Sequence, residues 1–583
     1  MLRLAKISVM DAAVNILEDE GVEVIFGIPG AGILPFYQAL QKSKRITHYL
    51  CRHEEGATHA ADGYARISGK VGLCAGTSGP AGTNMVTGLY AAQVDSIPLI
   101  ALTGQNVRSQ LGKQAFQAVD IAEIVKPVTK KSYCVMESNQ VPWVFREAFK
   151  IAQEGRPGPV LIDLPLDVQR GQVEYDPTLD SKLSFQKPSP HMGKIRRAVE
   201  MILDAEKPIF LLGGGTILAD AAKEFVQLAE YMAAPIVTTV MGKGGIRPDH
   251  PLYAGQVGIQ CGTPLGNKSF LESDLVLGVG CRFSDRHTGT LDVYTKGRKF
   301  IHIDIEPTQI GRIIPVDLGI VSDAKLALQA MLEEAKEVVA HSGITSDPDD
   351  PPAQAAIEVS RKVRIPERVW SIPELRRKMA RRTDFDQVPI KPQRVFKEIN
   401  EFFSEDTIFV TCIGLNQIWS SQFQDIFKPR NYILPGGAGP LGWDLPAAIG
   451  AKLAKPECQV VQVTGDYGLG FCIEELGVAA MYEVPFLIIV INNGYLSLIR
   501  QSEKYGYNME FQVECWYEEE KVDYVKLAGA YGAYGERVTE PDKIKGAFQR
   551  GIDSGKVAII DVIVERQTDA SMGTAIDNVV EHE

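Results

Sequence analysis

The sequence predicts an α/β protein built of three doubly wound parallel-sheet domains. Short runs of Val, Ile and Leu alternate with segments of helical period, as in VGLCAGTSG, the helix around TNMVTGLYAAQV, and IPLIALTG. Continuous apolar strands of this kind belong to parallel sheets that helices cover on both faces. The chain has 583 residues, which is too many for a single hydrophobic core, so we expect three or four domains.

Two polar segments mark the domain boundaries. One is YDPTLDSKLSFQKPSPH, at about residues 175–191, and the other is SGITSDPDDPPAQ, at residues 342–354. Both are rich in residues that are typical of solvated linkers. The predicted units are an N-terminal domain at 1–180, a central domain at 190–342, a linker at 343–388 and a C-terminal domain at 389–583.

An internal similarity refines this division. GLYAAQVDSIPLIALTG (88–104) and GVAAMYEVPFLIIVINN (477–493) both contain a helix end, a Pro and an apolar strand that closes in polar residues. The similarity predicts that the N-terminal and C-terminal domains share an architecture and that the central domain differs.

Composition argues against several classes of partner. The net charge is −12 and no basic stretch offsets it, which argues against nucleic acid and anionic membranes. No apolar run reaches membrane-spanning length, and acidic residues come too early for a signal peptide. Nine cysteines lie far apart without a CxxC pair, which is typical of reduced thiols in a cytoplasmic protein.

The stretch VTGDYGLGFCIEELGVAAMYEVPFLIIVINNGYL (463–496) carries the most chemical information. QVVQVTG is predicted as a buried strand, CIEELGVAAMY as a helix and PFLIIVI as a second buried strand. A right-handed crossover makes the two strands parallel, so Asp466 and Asn493 reach the rim of the sheet where ligands bind. One carboxylate and one amide oxygen suit Mg²⁺ whose coordination shell is completed by phosphate. Gly465 and Gly468 let the backbone approach that phosphate.

Each half of this motif also has a simpler interpretation. Asp after Gly at a strand end is often a helix N-cap, and NNG is often a turn. The β-α-β pattern between Asp466 and Asn493 favours a metal-bridged diphosphate site over these alternatives.

Several segments resemble a known family. The spacing of GD and NN is similar to the motif of thiamin diphosphate-dependent decarboxylases and carboligases. FGIPGAGILPFY, RHEEGATHAADGYAR, GTSGPAGTN and AFQAVDIAEIVKPVTK resemble the N-terminal, pyrimidine-binding domain of the acetohydroxyacid synthase group, and GGAGPLGWDLPAAIGA resembles its aminopyrimidine-contacting segment. Within that group, FDQVPIKPQRVF, IGLNQ, YLSLIRQS and SMGTAIDNV are most similar to the glyoxylate carboligases.

The resemblance implies roles for residues of the C-terminal domain. Asp466, Asn493 and the backbone carbonyl of Tyr495 would ligate Mg²⁺ against the diphosphate. Leu441 matches the residue that bends the cofactor, although an ordinary core leucine explains it equally well. The other residues implied to lie along the cofactor are Gly414, Leu415, Asn416, Gly439, Gly465, Tyr467 and Gly468.

On the substrate side, the resemblance implies that Phe116 and Gln117 lie near the reacting carbons and that Leu498 and Ile499 line the pocket. From the residues alone, a surface helix explains the Phe-Gln pair better, and core packing explains the two aliphatic residues just as well.

Glu54 is the residue at which the sequence departs from the subfamily pattern. It stands with Glu55 at the start of a predicted helix, where two acids stabilise the helix N-terminus in any case. In the wider superfamily a glutamate at this position hydrogen-bonds N1′ of the aminopyrimidine and promotes loss of the cofactor C2 proton. Glyoxylate carboligases characteristically carry an aliphatic residue there.

The central domain suggests a second cofactor. PIFLLGGGTILAD predicts a strand, a triple glycine and a helix, which is not the GxGxxG pattern of dinucleotide sites. The resemblance nevertheless implies an FAD site, with a flavin that is structural because the reaction involves no net redox change. The alternative is a domain that has lost its nucleotide. The residues that match FAD-binding positions are Arg156, Gly213, Gly214, Gly215, Arg282, Arg286, Asp304 and Asp323.

Three functions are compatible with these features. The first is condensation of two glyoxylate molecules to tartronate semialdehyde with release of CO₂. The second is an acetohydroxyacid (acetolactate) synthase acting on pyruvate, which usually has a His-containing version of IGLNQ. The third is a flavin-dependent 2-oxo-acid oxidase. The family also implies a small 2-oxo-acid substrate and a homodimer or homotetramer with active sites at the subunit interface.

Overall fold

The computed structural model describes residues 6–177, 180–341, 369–515 and 522–582. Within these residues the chain forms three six-stranded parallel sheets among helices, which confirms the predicted α/β, doubly wound class. Residues 343–368 of the predicted linker lie outside the described residues. No helix in the described ranges combines the length and the hydrophobicity needed to cross a membrane.

The N-terminal domain holds the first group of elements. Its strands are β1 (Lys6–Ser8), β2 (Val24–Gly27), β3 (Thr47–Leu50), β4 (Gly72–Gly76), β5 (Leu99–Gln105), β6 (Lys131–Cys134), β7 (Pro159–Pro165) and β8 (Gln172–Glu174). Its helices are α1 (Val9–Glu20), α2 (Leu34–Leu40), α3 (Glu54–Ser68), α4 (Pro80–Asn84), α5 (Val86–Asp95), α6 (Ile121–Ile124), α7 (Val141–Gln153) and α8 (Leu166–Gln169). The strand order is β3-β2-β4-β5-β7-β6, and β1 pairs with β8 in a separate antiparallel ribbon.

The central sheet forms the second group. Its strands are β9 (Pro208–Leu212), β10 (Ile236–Thr238), β11 (Tyr253–Gln256), β12 (Leu275–Val279), β13 (Lys299–Asp304) and β14 (Leu318–Val321). The helices are α9 (Met192–Asp204), α10 (Gly214–Leu218), α11 (Ala222–Tyr231), α12 (Pro264–Leu271), α13 (Asp285–Thr288), α14 (Leu291–Thr295), α15 (Ala324–His341) and α16 (Ile372–Lys378). The strand order is β11-β10-β9-β12-β13-β14.

The C-terminal sheet completes the chain. Its strands are β15 (Ile408–Thr411), β16 (Tyr432–Ile433), β17 (Val460–Gly465), β18 (Leu487–Asn492), β19 (Tyr534–Val538) and β20 (Ala558–Ile563). The helices are α17 (Pro392–Phe402), α18 (Leu415–Phe423), α19 (Asp444–Ala454), α20 (Asp466–Leu469), α21 (Leu476–Met481), α22 (Ser497–Gly506), α23 (Tyr524–Ala530) and α24 (Ile544–Asp553). The order is β16-β15-β17-β18-β20-β19.

The strand order confirms the prediction that the N-terminal and C-terminal domains share an architecture. Numbered in chain order within each sheet, the N-terminal and C-terminal sheets both run 2-1-3-4-6-5, whereas the central sheet runs 3-2-1-4-5-6. The latter is the order of dinucleotide-binding folds, and in all such open sheets ligands bind beyond the carboxyl ends of the strands.

Helices α3 and α19 join the outer domains through a close crossing. A Cβ atom at Gly63 would lie 2.3 Å from the carbonyl oxygen of Ala447, and one at Gly450 would lie 2.0 Å from that of Ala60. Only glycine fits at both places, because a side chain would collide with the opposite backbone. The apolar faces of the two helices share one buried cluster, so the helix that begins at Glu54 is anchored on the C-terminal domain.

One predicted element is wrong in its extent. CIEELGVAAMY was expected as a single helix, but the segment contains a short 3₁₀ turn followed by α21. Cys472 adopts a left-handed backbone with φ 53°, which interrupts helical hydrogen bonding at this point. A separate helical turn, α20, begins at Asp466 itself.

Candidate active site

Asp466 and Asn493 follow adjacent parallel strands directly, as the sequence predicts. Asp466 comes immediately after β17, and Asn493 comes immediately after β18. Strands β17 and β18 are paired in parallel. The backbone N–H of Gly494 donates to Asp466 Oδ2 at 3.0 Å, so the two strand ends touch. The neighbouring pair β15 and β17 forms the point where the strand order reverses, which is where open α/β sheets bind ligands.

The other two predicted ligand oxygens, on the Asn493 side chain and the Tyr495 backbone, both accept from the hydroxyl of Ser497. The hydroxyl oxygen of Ser497 lies 2.8 Å from Asn493 Oδ1 and 3.1 Å from the carbonyl oxygen of Tyr495. Both predicted ligands therefore border one small space. Burial raises the pKa of Asp466 to about 7, although backbone N–H groups, including that of Gly494, oppose the shift. A divalent cation would offset this cost of burying the charge.

The donor set fits Mg²⁺, which prefers carboxylate, amide and carbonyl oxygens together with substrate phosphate. In the ranges that the structure describes, no cluster of three or more His, Cys, Asp or Glu could hold a metal. A cation bound here would therefore depend on Asn493, the Tyr495 carbonyl and a ligand phosphate as well as on Asp466.

The loop after β15 forms one wall of this space. Gly414 has φ 139°, and a Cβ atom there would lie 2.3 Å from Asn416 Oδ1. The Asn416 amide donates to the carbonyl of Cys412 at 3.1 Å, and its Oδ1 lies 3.4 Å from the Cβ position of Gly465. Leu415 packs into the C-terminal core instead. The Asn416 side chain thus occupies the place that a Cβ at Gly414 would need, whereas a Cβ at Gly465 would make only an ordinary contact with it.

Leu441 lies on the other side of α20. It is half-buried, and its Cδ2 lies 3.8 Å from the Cβ position of Gly468. Gly439 precedes it with φ 62°, a left-handed conformation that favours glycine. Tyr467 is 40% exposed and its ring packs against Phe471 at 5.6 Å between centroids. Leu441 and Tyr467 therefore lie at α20, whereas Gly439 adjoins Ile413 in the loop after β15.

In the N-terminal domain, Glu54 and Glu55 face different surroundings. Glu54 is the first residue of α3, and its Oε2 accepts a hydrogen bond of 2.9 Å from the side-chain amide of Asn84. Its Cγ lies 3.4 Å from the Cβ position of Gly76. Glu55 lies 3.4 Å from His59, and a hydrogen bond to His59 is the main cause that lowers the pKa of Glu55. Asn84 was not anticipated from the sequence.

Phe116 and Gln117 lie in a turn, so the alternative expectation of a surface helix is wrong. Gln117 has a left-handed backbone with φ 58°, and its Cβ lies 2.7 Å from the Cβ position of Gly79, which precedes α4. Because α4 ends at Asn84, this contact places Gln117 in the Glu54 group. The Phe116 side chain is 85% exposed.

Leu498 and Ile499 lie in the first turn of α22. Leu498 is half-buried against the C-terminal core, whereas Ile499 is 49% exposed, so core packing does not account for Ile499. Arg500 of the same helix is buried and donates a hydrogen bond of 2.5 Å to Asp569.

The candidate residues form two groups, one on each outer domain. Among the described residues, no hydrogen bond or ion pair joins Glu54 to Asp466, Asn493 or Tyr495. We call these two groups the two half-sites.

Glu475 is a residue that sequence reasoning missed. Its Oε1 accepts hydrogen bonds of 2.9 Å from the backbone N–H groups of both Arg52 and His53, just before α3. Burial raises the pKa of Glu475 to about 7, while these two bonds oppose the shift. No local pattern distinguishes Glu475 from its more accessible neighbour Glu474, so the sequence carries no signal for this contact.

The central domain borders a cavity of about 370 Å³. Most residues predicted to hold a flavin line it, and these are Arg156, Gly214, Gly215, Arg282, Arg286, Asp304 and Asp323. Gly213 does not line the cavity. A Cβ atom at Gly213 would lie 2.2 Å from the carbonyl oxygen of Gly280, so this glycine serves close packing of two backbones.

The cavity suits an anionic ligand. Its volume lies in the range of nucleotide and cofactor pockets. Arg156 and Arg282 lie in its wall, and Asp323 is paired with Lys187 at 3.0 Å. Burial raises the pKa of Asp304 to about 6, opposed by a hydrogen bond from the Glu306 N–H and by Arg156.

Comparison with known families defines the class of protein. The chain matches the N-terminal TPP binding domain of the thiamine pyrophosphate enzymes over residues 7–124, their central domain over 195–331 and their C-terminal TPP binding domain over 412–562. The chain belongs to this family of thiamine pyrophosphate (thiamin diphosphate) enzymes.

Individual relatives extend over the whole length. Glyoxylate carboligase of Escherichia coli O157:H7 is 45% identical over 593 aligned residues, covering 100% of this chain and 97% of that protein. The probable acetolactate synthase large subunit of Methanocaldococcus jannaschii is 39% identical and covers 95% and 91% of the two chains. The probable acetolactate synthase large subunit of Methanococcus aeolicus is 38% identical and covers 98% and 95%.

Proposed function

We propose that this protein is a thiamin diphosphate-dependent carboligase that condenses two glyoxylate molecules to tartronate semialdehyde and CO₂. The full-length similarity to glyoxylate carboligase carries the choice of reaction. The two half-sites supply residues that fit the thiamin diphosphate chemistry of the family.

The C-terminal half-site would hold the diphosphate end of the cofactor. Asp466, Asn493 and the Tyr495 carbonyl would bind Mg²⁺, and Gly465 and Gly468 leave room for phosphate. When bound, thiamin diphosphate accepts the electrons released as CO₂ leaves and passes them to the second substrate. The protein contributes binding, orientation and exclusion of water.

Glu54 would act at the aminopyrimidine end. Its Oε2 is held by the Asn84 amide, which fixes the carboxyl group while it holds or releases a proton. Leu441, Leu498 and Ile499 would line the reacting region with apolar groups. Such a surrounding favours loss of a carboxylate, because charge disappears in that step.

Assembly would complete the site. Phe116 and Ile499 are 85% and 49% exposed in one chain, although both belong to the half-sites. A second copy would cover them and bring Glu54 of one chain to Asp466 of the other, giving a homodimer or homotetramer. Light scattering after size exclusion should give at least twice the mass of the chain, and a fully active monomer would contradict this assembly. The nine free cysteines are compatible with a cytoplasmic enzyme.

FAD would occupy the central cavity as a structural cofactor. The supporting observations are the cavity volume, the arginines in its wall and the dinucleotide-type strand order of the central sheet.

The decisive experiment compares substrates. Purified protein with thiamin diphosphate, Mg²⁺ and FAD is incubated with glyoxylate or with pyruvate, and the products are identified by NMR. We expect tartronate semialdehyde from glyoxylate and at least tenfold slower turnover of pyruvate. Faster formation of acetolactate would establish the second candidate, which the similarity to acetolactate synthase subunits supports.

A further inference from the structure

We infer that Asp95 is a positioning residue that couples occupancy of the central cavity to binding of thiamin diphosphate. This inference rests on the proposed function, since it assumes that both cofactors bind. No chemical step is assigned to Asp95; its role is to hold the backbone that leads to Gly439 and Leu441.

The Asp95 carboxylate contacts all three domains. It ends α5 of the N-terminal domain and is buried. Its Oδ2 accepts hydrogen bonds from the backbone N–H of Gly436 at 2.8 Å and from Arg66 at 3.1 Å, and its Oδ1 accepts one from Arg282 at 3.3 Å. Gly436 belongs to the C-terminal domain and Arg282 to the central domain. One buried charge thus links three separate sheets.

The residue after Gly436 is packed against the same group. A Cβ atom at Gly437 would lie 2.0 Å from Val94 Cγ1 and 3.0 Å from both Asp95 Oδ1 and Arg282 Nη2. The backbone at Gly437 therefore rests directly on the Asp95–Arg282 pair. Any displacement of this pair requires residues 436–437 to shift as well, because tightly packed groups cannot move independently.

Residues 434–443, which include Gly439 and Leu441, are fastened at both ends by one ion network. Arg66 donates to the carbonyl of Leu434 at 2.8 Å and pairs with Asp62 at 2.7 Å. The indole N–H of Trp443 donates to Asp62 at 2.9 Å. Burial alone would lower the pKa of Arg66, but Asp62 and Asp95 raise it above its ordinary value, so Arg66 keeps its positive charge.

The other end of the link faces the cavity. Arg156 and Arg282 line it, and both donate to the backbone carbonyl of Val94. Arg156 also donates to the hydroxyl of Ser96 at 2.8 Å. The two cavity arginines are therefore attached to residues 94–96. An anionic ligand that fixes these arginines would also fix Asp95, and through it the 434–443 segment.

This arrangement predicts reciprocal binding. A flavin that orders the arginines should tighten thiamin diphosphate binding by about tenfold, and thiamin diphosphate should tighten flavin binding by the same factor. The link also gives a reason why a reaction without net redox change would need a flavin.

The test measures a ratio of affinities. Thiamin diphosphate is titrated, with Mg²⁺ present, into flavin-free and FAD-loaded protein, and binding is followed by tryptophan fluorescence. The wild-type protein should show about a tenfold ratio. Asp95→Asn, which keeps an acceptor for Gly436 but loses the charge, should reduce the ratio below twofold while both cofactors still bind.

Two further variants serve as a second test of the link and as its control. Arg282→Met leaves the Gly436 and Arg66 contacts of Asp95 in place and should also reduce the ratio, even if flavin binds more weakly. Asp323→Asn lies in the same cavity but pairs with Lys187, so it should weaken flavin binding and keep the tenfold ratio.

The outcomes separate the inference from the proposed function. A wild-type protein that binds both cofactors with a ratio near one, or coupling that persists in both Asp95→Asn and Arg282→Met, would overturn the inference and leave the proposed function standing. A wild-type protein that binds no FAD would refute the flavin part of the proposed function and this inference with it.

Discussion

Glu475 accepts a hydrogen bond of 2.9 Å from the backbone N–H of His53, although 422 positions separate the two residues. His53 directly precedes helix α3, which begins with Glu54. The contact holds the start of this helix on the segment that follows α20, the helical turn that begins at Asp466. The second oxygen of Glu475 is buried and has no hydrogen-bond partner within the described part of the chain.

Glu475 should make stability depend on pH. Burial raises its folded pKa to about 7. Between about pH 4.5 and 7 the folded protein then keeps a proton that the unfolded chain has lost, so the free energy of unfolding falls as pH rises through this window. Glu475→Gln removes this loss, which amounts to about 3 kcal/mol at most.

The measurement is the thermal midpoint of cofactor-free protein at pH 5 and pH 8. The midpoint of Glu475→Gln minus that of the wild type should become more positive at pH 8. Glu474→Gln, the accessible neighbour, should show no such change. An equal difference at both pH values would mean that Glu475 is ionised in the folded protein throughout.

Asp466→Ala should abolish activity because the diphosphate loses its metal bridge. We expect the affinity for thiamin diphosphate, titrated in the presence of Mg²⁺, to fall by at least 100-fold. Asp542→Ala on the surface, where the residue pairs with Lys543, serves as the control. Unchanged cofactor affinity in Asp466→Ala would remove this residue from the site.

Glu54→Gln and Glu54→Val should slow deuterium exchange at C2 of the bound cofactor by about 100-fold or more, the usual contribution of a positioned acid or base. Glu55→Gln should have a much smaller effect, since Glu55 is paired with His59. Acid quenching followed by NMR measures the exchange. Turnover can fall by less than the exchange rate if carboligation is the slower step, so an undiminished exchange rate in Glu54→Val is the result that would refute the role.

FAD should remain oxidised during turnover. The flavin absorption of the loaded enzyme should persist for the whole time course after anaerobic mixing with glyoxylate, and dithionite should then bleach it as a control. Bleaching by glyoxylate at the turnover rate would instead favour the 2-oxo-acid oxidase.

The sequence by itself determined the class of fold and the positions of the metal-binding candidates. Apolar runs and helical periods are local properties, and a strand–helix–strand unit has one hand, so the order of residues alone places Asp466 and Asn493 on one rim of a sheet. Family resemblance added the remaining candidates on all three domains.

Only the tertiary structure decided which distant residues support these positions. Glu475 meets His53, and Asp95 meets Gly436 across 341 positions of sequence. Neither contact follows from periodicity or spacing, because both contacts depend on how the three sheets pack together. The left-handed backbone at Cys472, which shortens the predicted helix, likewise leaves no trace in the hydrophobic pattern. Local sequence specifies the strand ends that carry the chemistry, and long-range packing specifies how those ends are held in place.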